Sequence, residues 1–354
     1  MLLKRVTRQG FPLLKKRTTG QDVADLANVS RTTVSLVLND VKGANIPLST
    51  REKVRDAAKK LNYIPNATAQ ALATQRAQAI GLVMTRSPHH IASDNFLPQI
   101  LGGLLGVVRE HKFRLLIETV EEERQERAYL ELAQAKHIDG MILLTPRIDD
   151  KGFQKLEEVG VPAVLMGKLP DSNLYSVDVD NCSAARQAIE QLIKMGHSKI
   201  ACIANAPASY SASPERVLGY QNALAEAGIP FNKKLLRYAD FSPQSGFDSM
   251  QSLLSSGEEF SAVFVASDNV AMGAKAALRE AGLSIPDDIS MIGFDDIPWA
   301  AYADPPLTTV RLPAQEMASE ACLLLLELMK GNTPEKRNLV LDTELIVRKS
   351  CRKQ

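Results

Sequence analysis

Thr19-Gly-Gln-Asp-Val-Ala-Asp-Leu-Ala-Asn28-Val-Ser30-Arg-Thr-Thr-Val-Ser-Leu-Val-Leu-Asn39 decides how the rest of the chain is read. Thr19 and Asp22 stand three apart, the spacing at which two side chains satisfy each other's unpaired amides at a helix start. Val23, Ala24 and Ala27 follow at helical spacing, so a helix of about two turns is expected. It must end near Asn28, a residue that tolerates the left-handed conformation where glycine is absent. Ser30 then sits as the N-cap of a second helix carrying Val34, Val37 and Leu38. Ser49-Thr-Arg-Glu52 has the form of another capping box, opening a third helix that buries Val54, Ala57, Ala58 and Leu61. Three short helices with a tight turn between the first two make a helix-turn-helix unit over residues 19–64.

Outward from this unit, charge is divided unevenly. Residues 1–76 carry 14 Lys/Arg against 5 Asp/Glu, a net of +9, whereas the remainder has a net of −8. A basic segment on a mildly acidic body suits a protein whose N-terminal part alone meets a polyanion; the plainer alternative is a solvated basic surface. Residues 1–18, with Lys4, Arg5, Arg8, Lys15, Lys16 and Arg17, form a basic arm expected to be disordered. Pro65 stops the headpiece because it lacks the amide a continuing helix needs. Residues 65–76 follow as a linker, in which Asn66 to Ala73 is too short to hold a helix alone in water.

Beyond it, residues 77–354 alternate short apolar runs with amphipathic helices. Ile80–Met84, Leu115–Thr119, Gly140–Leu144, Ala163–Met166, Ile200–Ala204, Ala262–Ala266 and Ile289–Gly293 read as strands buried on both faces. Gly160, Gly196, Gly228 and Gly282 sit where the intervening helices should end. The fold class is therefore α/β, with an all-α headpiece ahead of parallel, doubly wound sheets, and the length favours two α/β subdomains over one.

Composition and motifs exclude several classes. With 45% hydrophobic and 23% charged residues the chain is globular rather than disordered. Its four cysteines are scattered, so reduced thiols are expected. No apolar run reaches the roughly 18–20 residues of a membrane helix, and the N-terminus lacks a secretory apolar stretch. No cofactor is expected. Gly102, Gly103 and Gly106 lie inside a helical pattern and suit close packing, and Gly167-Lys168 lacks the rest of a phosphate loop. His89-His90 reads as a solvated loop pair rather than a metal site, and His197 as a contact to the last carbonyls of the preceding helix. An enzyme is thus the minority reading.

The string Gln21 to Asn39 resembles the helix-turn-helix of the LacI/GalR family of bacterial transcription regulators. Arg51-Glu-Lys-Val54, Leu61-Asn-Tyr-Ile-Pro-Asn66, Ile80-Gly-Leu-Val83, Asp139-Gly-Met-Ile142, Val161-Pro162, Asp180-Asn181, Gly196-His197, Ile292-Gly-Phe-Asp-Asp296 and Pro305-Pro-Leu-Thr-Thr309 fall in that family's order, over about residues 19 to 348. The resemblance implies a core like periplasmic sugar-binding proteins: a first subdomain of about residues 77–176 and 311–338, and a second of about 177–310 and 339–354. Crossings are expected near Val177, Arg311 and Leu339. A cytoplasmic homodimer is implied, without room after the last strand for a tetramerising coiled coil. Its partners would be pseudo-palindromic operator DNA and a small-molecule effector.

For DNA, the resemblance puts Arg31, Thr32, Thr33, Ser35, Leu36 and Asn39 at the major groove. Arg31 is the main base reader, its bidentate pairing with guanine worth roughly 1–3 kcal/mol, with a phosphate clamp as the alternative. Leu36 stands where the family commonly has arginine. Asn66, Ala69 and Leu72 match the hinge helix, with Leu72 as a minor-groove wedge or else a packed linker residue. For the effector, Asn95, Phe96, Arg216 and Asp295 match the binding residues, and Lys168, Ser267, Asp268 and Trp299 are weaker candidates; Asp268 could instead cap a helix. The implied function is a repressor of carbohydrate utilisation, with a purine or other metabolite as the alternative effector.

Overall fold

A computed structural model describes residues 18–40, 43–64, 76–85, 88–120 and 125–354. The chain divides into two compact units, Met1–Ala77 and Gln78–Gln354.

In the first unit, α1 (Gly20–Ala27), α2 (Arg31–Leu38) and α3 (Leu48–Lys60) enclose a small core of Val23, Ala24, Val34, Val37, Val54 and Ala57. The Thr19 backbone amide donates to the Asp22 carboxylate (2.7 Å), and the Asp22 amide donates to the Thr19 hydroxyl (3.3 Å). Asn28 ends α1 at φ 52°, and Ser30 Oγ accepts the Thr33 amide at 3.0 Å to start α2. The third cap differs from expectation. Helix α3 starts at Leu48 behind Pro47, with no side-chain cap bond, because the proline ring already sets φ at −56°. Arg51, expected inside a capping box, instead reaches back to the carbonyls of Ala44 (3.1 Å) and Ile46 (3.3 Å) and to Asp40 (3.4 Å). It thereby fastens the loop before α3 to the helix.

The second unit contains β1 (Ala79–Met84), α4 (Pro88–Ala92), α5 (Leu97–Glu110), β2 (Arg114–Thr119), α6 (Gln125–Gln134), β3 (Gly140–Leu144), α7 (Gly152–Val159), β4 (Ala163–Met166) and β5 (Tyr175–Val179). Then come α8 (Asn181–Lys194), β6 (Ile200–Ala204), α9 (Ala212–Glu226), β7 (Leu236–Tyr238), α10 (Pro243–Leu254), β8 (Ala262–Val265), α11 (Asp268–Glu280), β9 (Ser290–Asp295), β10 (Thr308–Arg311), α12 (Ala314–Met329), β11 (Asn338–Leu341) and β12 (Glu344–Ile346). They form two six-stranded sheets, ordered β11-β5-β4-β3-β1-β2 and β12-β10-β9-β8-β6-β7. Every pairing is parallel except β10 with β12.

Sheet membership locates the passages between the two sheets. Val177 and Leu339 lie inside β5 and β11, paired with each other in the first sheet, so the chain leaves that sheet after Val179 and again after Leu341. It returns to the first sheet after Arg311. Strand β2 is also different from its reading as a doubly buried strand: it is the sheet edge, with Ile117 47% exposed.

Gly160, Gly196, Gly228 and Gly282 have positive φ where α7, α8, α9 and α11 end. Of the three glycines on α5, Gly103 is the one that close packing demands. A Cβ there would lie 2.2 Å from the Gln315 carbonyl oxygen of α12, whereas one on Gly106 would meet nothing within 4 Å. His197 does not turn back to helix carbonyls as expected. Its Nε2 lies 3.1 Å from the Arg352 carbonyl and its Nδ1 2.8 Å from Ser261 Oγ, holding the C-terminal tail on the second sheet. His90 is on α4 rather than in a loop, with Nε2 3.4 Å from Asp240.

Candidate functional site

Two places gather the expected functional residues. On α2, Val34 and Val37 face the headpiece core, which turns the other face outward: Arg31, Thr32 and Ser35 are exposed. Thr33 is drawn into the cap, its hydroxyl 2.9 Å from Ser30 Oγ. Asn39 donates to Ser35 Oγ at 3.2 Å, and Leu36 is half-buried. The helix N-terminus therefore offers an arginine and two small hydroxyls at its free face, the end from which a recognition helix reads base edges. Asn66, Ala69 and Leu72 lie outside the described residues, as does the basic arm up to Arg17.

The second place is a small cavity in the second unit, at the C-terminal ends of strands from both sheets. Doubly wound sheets leave a crevice there because their connecting helices diverge. One wall is apolar and comes from the first subdomain with Phe96, Ile100, Leu144 and Met166, extended by Leu312 and Met317. The opposite wall carries two rings, Tyr210 and Phe241, edge to face with centroids 4.8 Å apart. Thr145, Asp178, Asn181, Asn205, Ser211 and Arg216 supply polar lining.

Arg216 is buried and held from several sides. Its Nε donates to Asn181 Oδ1 (2.9 Å) and its Nη1 to the Ala266 carbonyl (2.6 Å). The guanidinium lies 3.8 Å from the centre of the Phe294 ring, and Asp295 Oδ1 is 3.7 Å from Nη1. Burial pushes the Asp295 carboxyl up to about 7, against the opposing pull of Arg216 and a hydrogen bond from Ser267. The same loss of water lowers Arg216 and raises Asp178. Asp295 also has φ 116°, a strained value for a residue with a side chain, of the kind concentrated at binding sites.

The other expected effector residues are dispersed. Asn95 does not line the cavity; its Nδ2 donates to Asn269 Oδ1 at 2.7 Å, joining the two subdomains at the rim. Asp268 neither lines the cavity nor caps α11: it is fully buried, accepting from the Ile297 amide (3.1 Å) and from Thr309 Oγ1 (2.7 Å). Ser267 acts on Asp295. Lys168 is exposed, and Trp299, 63% exposed, sits away from the cavity lining. Asn205, Tyr210 and Phe241 were not singled out in the sequence. Asn205 follows an apolar strand directly, and that placement was the available signal.

Comparison with known proteins places these features. Residues 19–66 match the model described as bacterial regulatory proteins, lacI family, and residues 189–351 match a periplasmic binding protein-like domain. The chain is 37% identical over 343 residues to the HTH-type transcriptional regulator CelR of Thermobifida fusca, covering 95% of this chain and 99% of that protein. It is 33% identical to the HTH-type transcriptional repressor CytR of Escherichia coli K12, covering 94% and 96%. Among solved structures, a CelR-cellobiose complex aligns at TM-score 0.73 and 36% identity, over 94% of this chain and all of that one. The Lac repressor dimer bound to operator aligns at TM-score 0.82 and 30% identity, over 95% and 99%.

Proposed function

The chain belongs to the LacI family of bacterial regulatory proteins, and from that premise we propose that it is a cytoplasmic repressor whose operator affinity is set by a carbohydrate bound between its core subdomains. The working unit is a homodimer, which places two headpieces on the halves of a pseudo-palindromic operator. In each headpiece Arg31, Thr32 and Ser35 face the major groove, Arg31 pairing with guanine. Residues 65–76 act as the hinge, with Leu72 as the wedge in the minor groove. The effector lies between Phe96 on one side and Arg216 with Asp295 on the other.

The observation that carries this reading is the buried Arg216 in the cavity lining, backed by Asp295, which itself is not part of the lining, with aromatic rings in the same cavity. A buried arginine offers directional, charge-assisted hydrogen bonds to hydroxyls, and aromatic faces pack on the C–H face of a sugar ring. The structural relative solved with cellobiose makes that disaccharide the first ligand to try. By linkage, a sugar that binds one closure state more tightly shifts the dimer toward it and so changes the spacing of the hinges.

Selection of binding sites from a random DNA library tests the operator half of the proposal. Enrichment of one palindromic sequence, bound with strong salt dependence, is the expected result. Recovery of sequences without any shared motif contradicts it. Thermal shifts across a panel of sugars and nucleosides test the other half, and stabilisation by nucleosides alone overturns the carbohydrate assignment.

A further inference from the structure

We propose that Asn205 selects for a hydroxyl group on the effector, an inference that rests on the carbohydrate reading and takes it to one atom. Asn205 follows β6 and is 5% exposed, yet it lines the cavity. Its Oδ1 is buried without a hydrogen-bond partner among the described residues. Its backbone is fixed, because the Asn205 carbonyl accepts the Phe241 amide at 2.8 Å. The residue therefore stands in the cavity wall on a main chain held in place.

Several neighbouring polar groups already have partners. Arg216 spends its Nε and Nη1 on Asn181 and Ala266, and Asn181 Nδ2 lies 3.2 Å from Asp178. Thr85 Oγ1 and Gln99 Nε2 are also buried without partners, but neither residue lines the cavity. A buried polar group left unpaired costs free energy that an apolar side chain of the same shape does not. Such a group persists where a ligand completes it.

The chemistry of the missing partner follows from the amide. A carboxamide presents one acceptor and two donors, and exchanging its oxygen and nitrogen leaves both kinds on the same side. A hydroxyl donates and accepts through one atom and so matches either arrangement. The unpaired Oδ1 accepts, so its partner must donate, and a carboxylate or phosphate oxygen, which only accepts, would repel it. On the carbohydrate reading that donor is a ring hydroxyl.

The test compares the wild-type dimer with Asn205→Leu, which keeps the shape and removes the hydrogen-bonding capacity. Ligand-free protein is melted, and cellobiose is titrated by calorimetry within a panel of other neutral sugars. The variant is expected to melt about 2 °C higher and to bind the responsive sugar about tenfold more weakly. A merely structural asparagine moves the melting point the other way, so a variant that melts lower overturns the proposal. Unchanged sugar affinity in the variant also overturns it. If wild type binds no sugar of the panel, the carbohydrate reading falls and the melting comparison alone decides, a stabilised variant keeping Asn205 as a ligand-facing group.

Discussion

The phenol of Tyr210 donates a hydrogen bond of 3.1 Å to the carbonyl oxygen of Thr85. A ring in the cavity wall is thus tied to the end of β1 in the opposite subdomain. Beside it the Ile148 amide donates to the Ser209 carbonyl (2.7 Å) and the Ser211 amide to the Pro146 carbonyl (3.1 Å), so the main chain itself bridges the cleft. Closure and effector contact share a residue. Tyr210→Phe keeps the ring and removes the tie, whose net worth is about 0.5–1.5 kcal/mol. Effector binding is expected to weaken about two- to tenfold, read by calorimetry, with a larger radius of gyration in solution scattering. An unchanged affinity and radius would show that the tie does not control closure.

Arg216→Met leaves Asp295 and Asp178 buried without the cation that faces them. Breaking a buried pair at one partner costs about 3–5 kcal/mol. The loss, measured from urea unfolding, is expected near the lower figure at pH 8 and smaller at pH 6, where Asp295 carries a proton. Equal losses at both pH values would argue that the two groups are not coupled.

Asp295 links stability to pH in a direction opposite to that of an ordinary salt-bridged carboxylate. Its folded value of about 7 lies above the roughly 3.9 of an unfolded aspartate. Between these limits the folded chain holds a proton that the unfolded chain has released. The contribution is fully present below the unfolded value and is lost as pH rises through about 7. Asp295→Asn is expected to flatten the fall in melting temperature between pH 6 and 8. A hydroxyl donated to Asp295 favours its ionised form, so effector binding near neutral pH should release a proton, visible as a buffer-dependent heat.

Two glycines on one helix make a matched pair. Gly103→Ala places a Cβ 2.2 Å from the Gln315 carbonyl oxygen and must push α5 from α12, whereas Gly106→Ala meets nothing within 4 Å. The first is expected to destabilise by about 1–3 kcal/mol. The second should stabilise by up to about 1 kcal/mol through helix propensity. Thermal unfolding of both variants checks the difference, and equal effects would contradict the observed packing of α5 on α12.

Local signals carried the headpiece. Thr19 with Asp22, Asn28 and Ser30 act within four residues of their partners, and each does what its spacing indicates. Ser49 failed because Pro47 starts α3 through its ring geometry, a constraint that outranks a hydroxyl two residues on. Strand β5 escaped notice because Ser176 and Asp178 interrupt its apolar run, although both are buried. In the cavity, Arg216 and Phe96 were legible through family motifs. Asn205, Tyr210 and Phe241 come together only when strand ends 34 residues apart in sequence, those of β6 and β7, converge in one sheet. That convergence belongs to topology and leaves no periodic trace. Asp268 and Trp299 show the converse, polar or aromatic residues near the right motif that take no part in the cavity lining.

The central claim is that sugar in the cleft controls DNA at the headpieces, and fluorescence anisotropy of a labelled operator titrated with the dimer, with and without cellobiose or the responsive sugar, tests it most directly. Operator affinity is expected to change at least fivefold on adding the sugar, a coupling of about 1 kcal/mol or more, and Arg216→Met should abolish the change while Arg31→Ala lowers affinity in both conditions. Sequence-specific operator binding that stays the same under a sugar already shown to occupy the cavity would contradict the account.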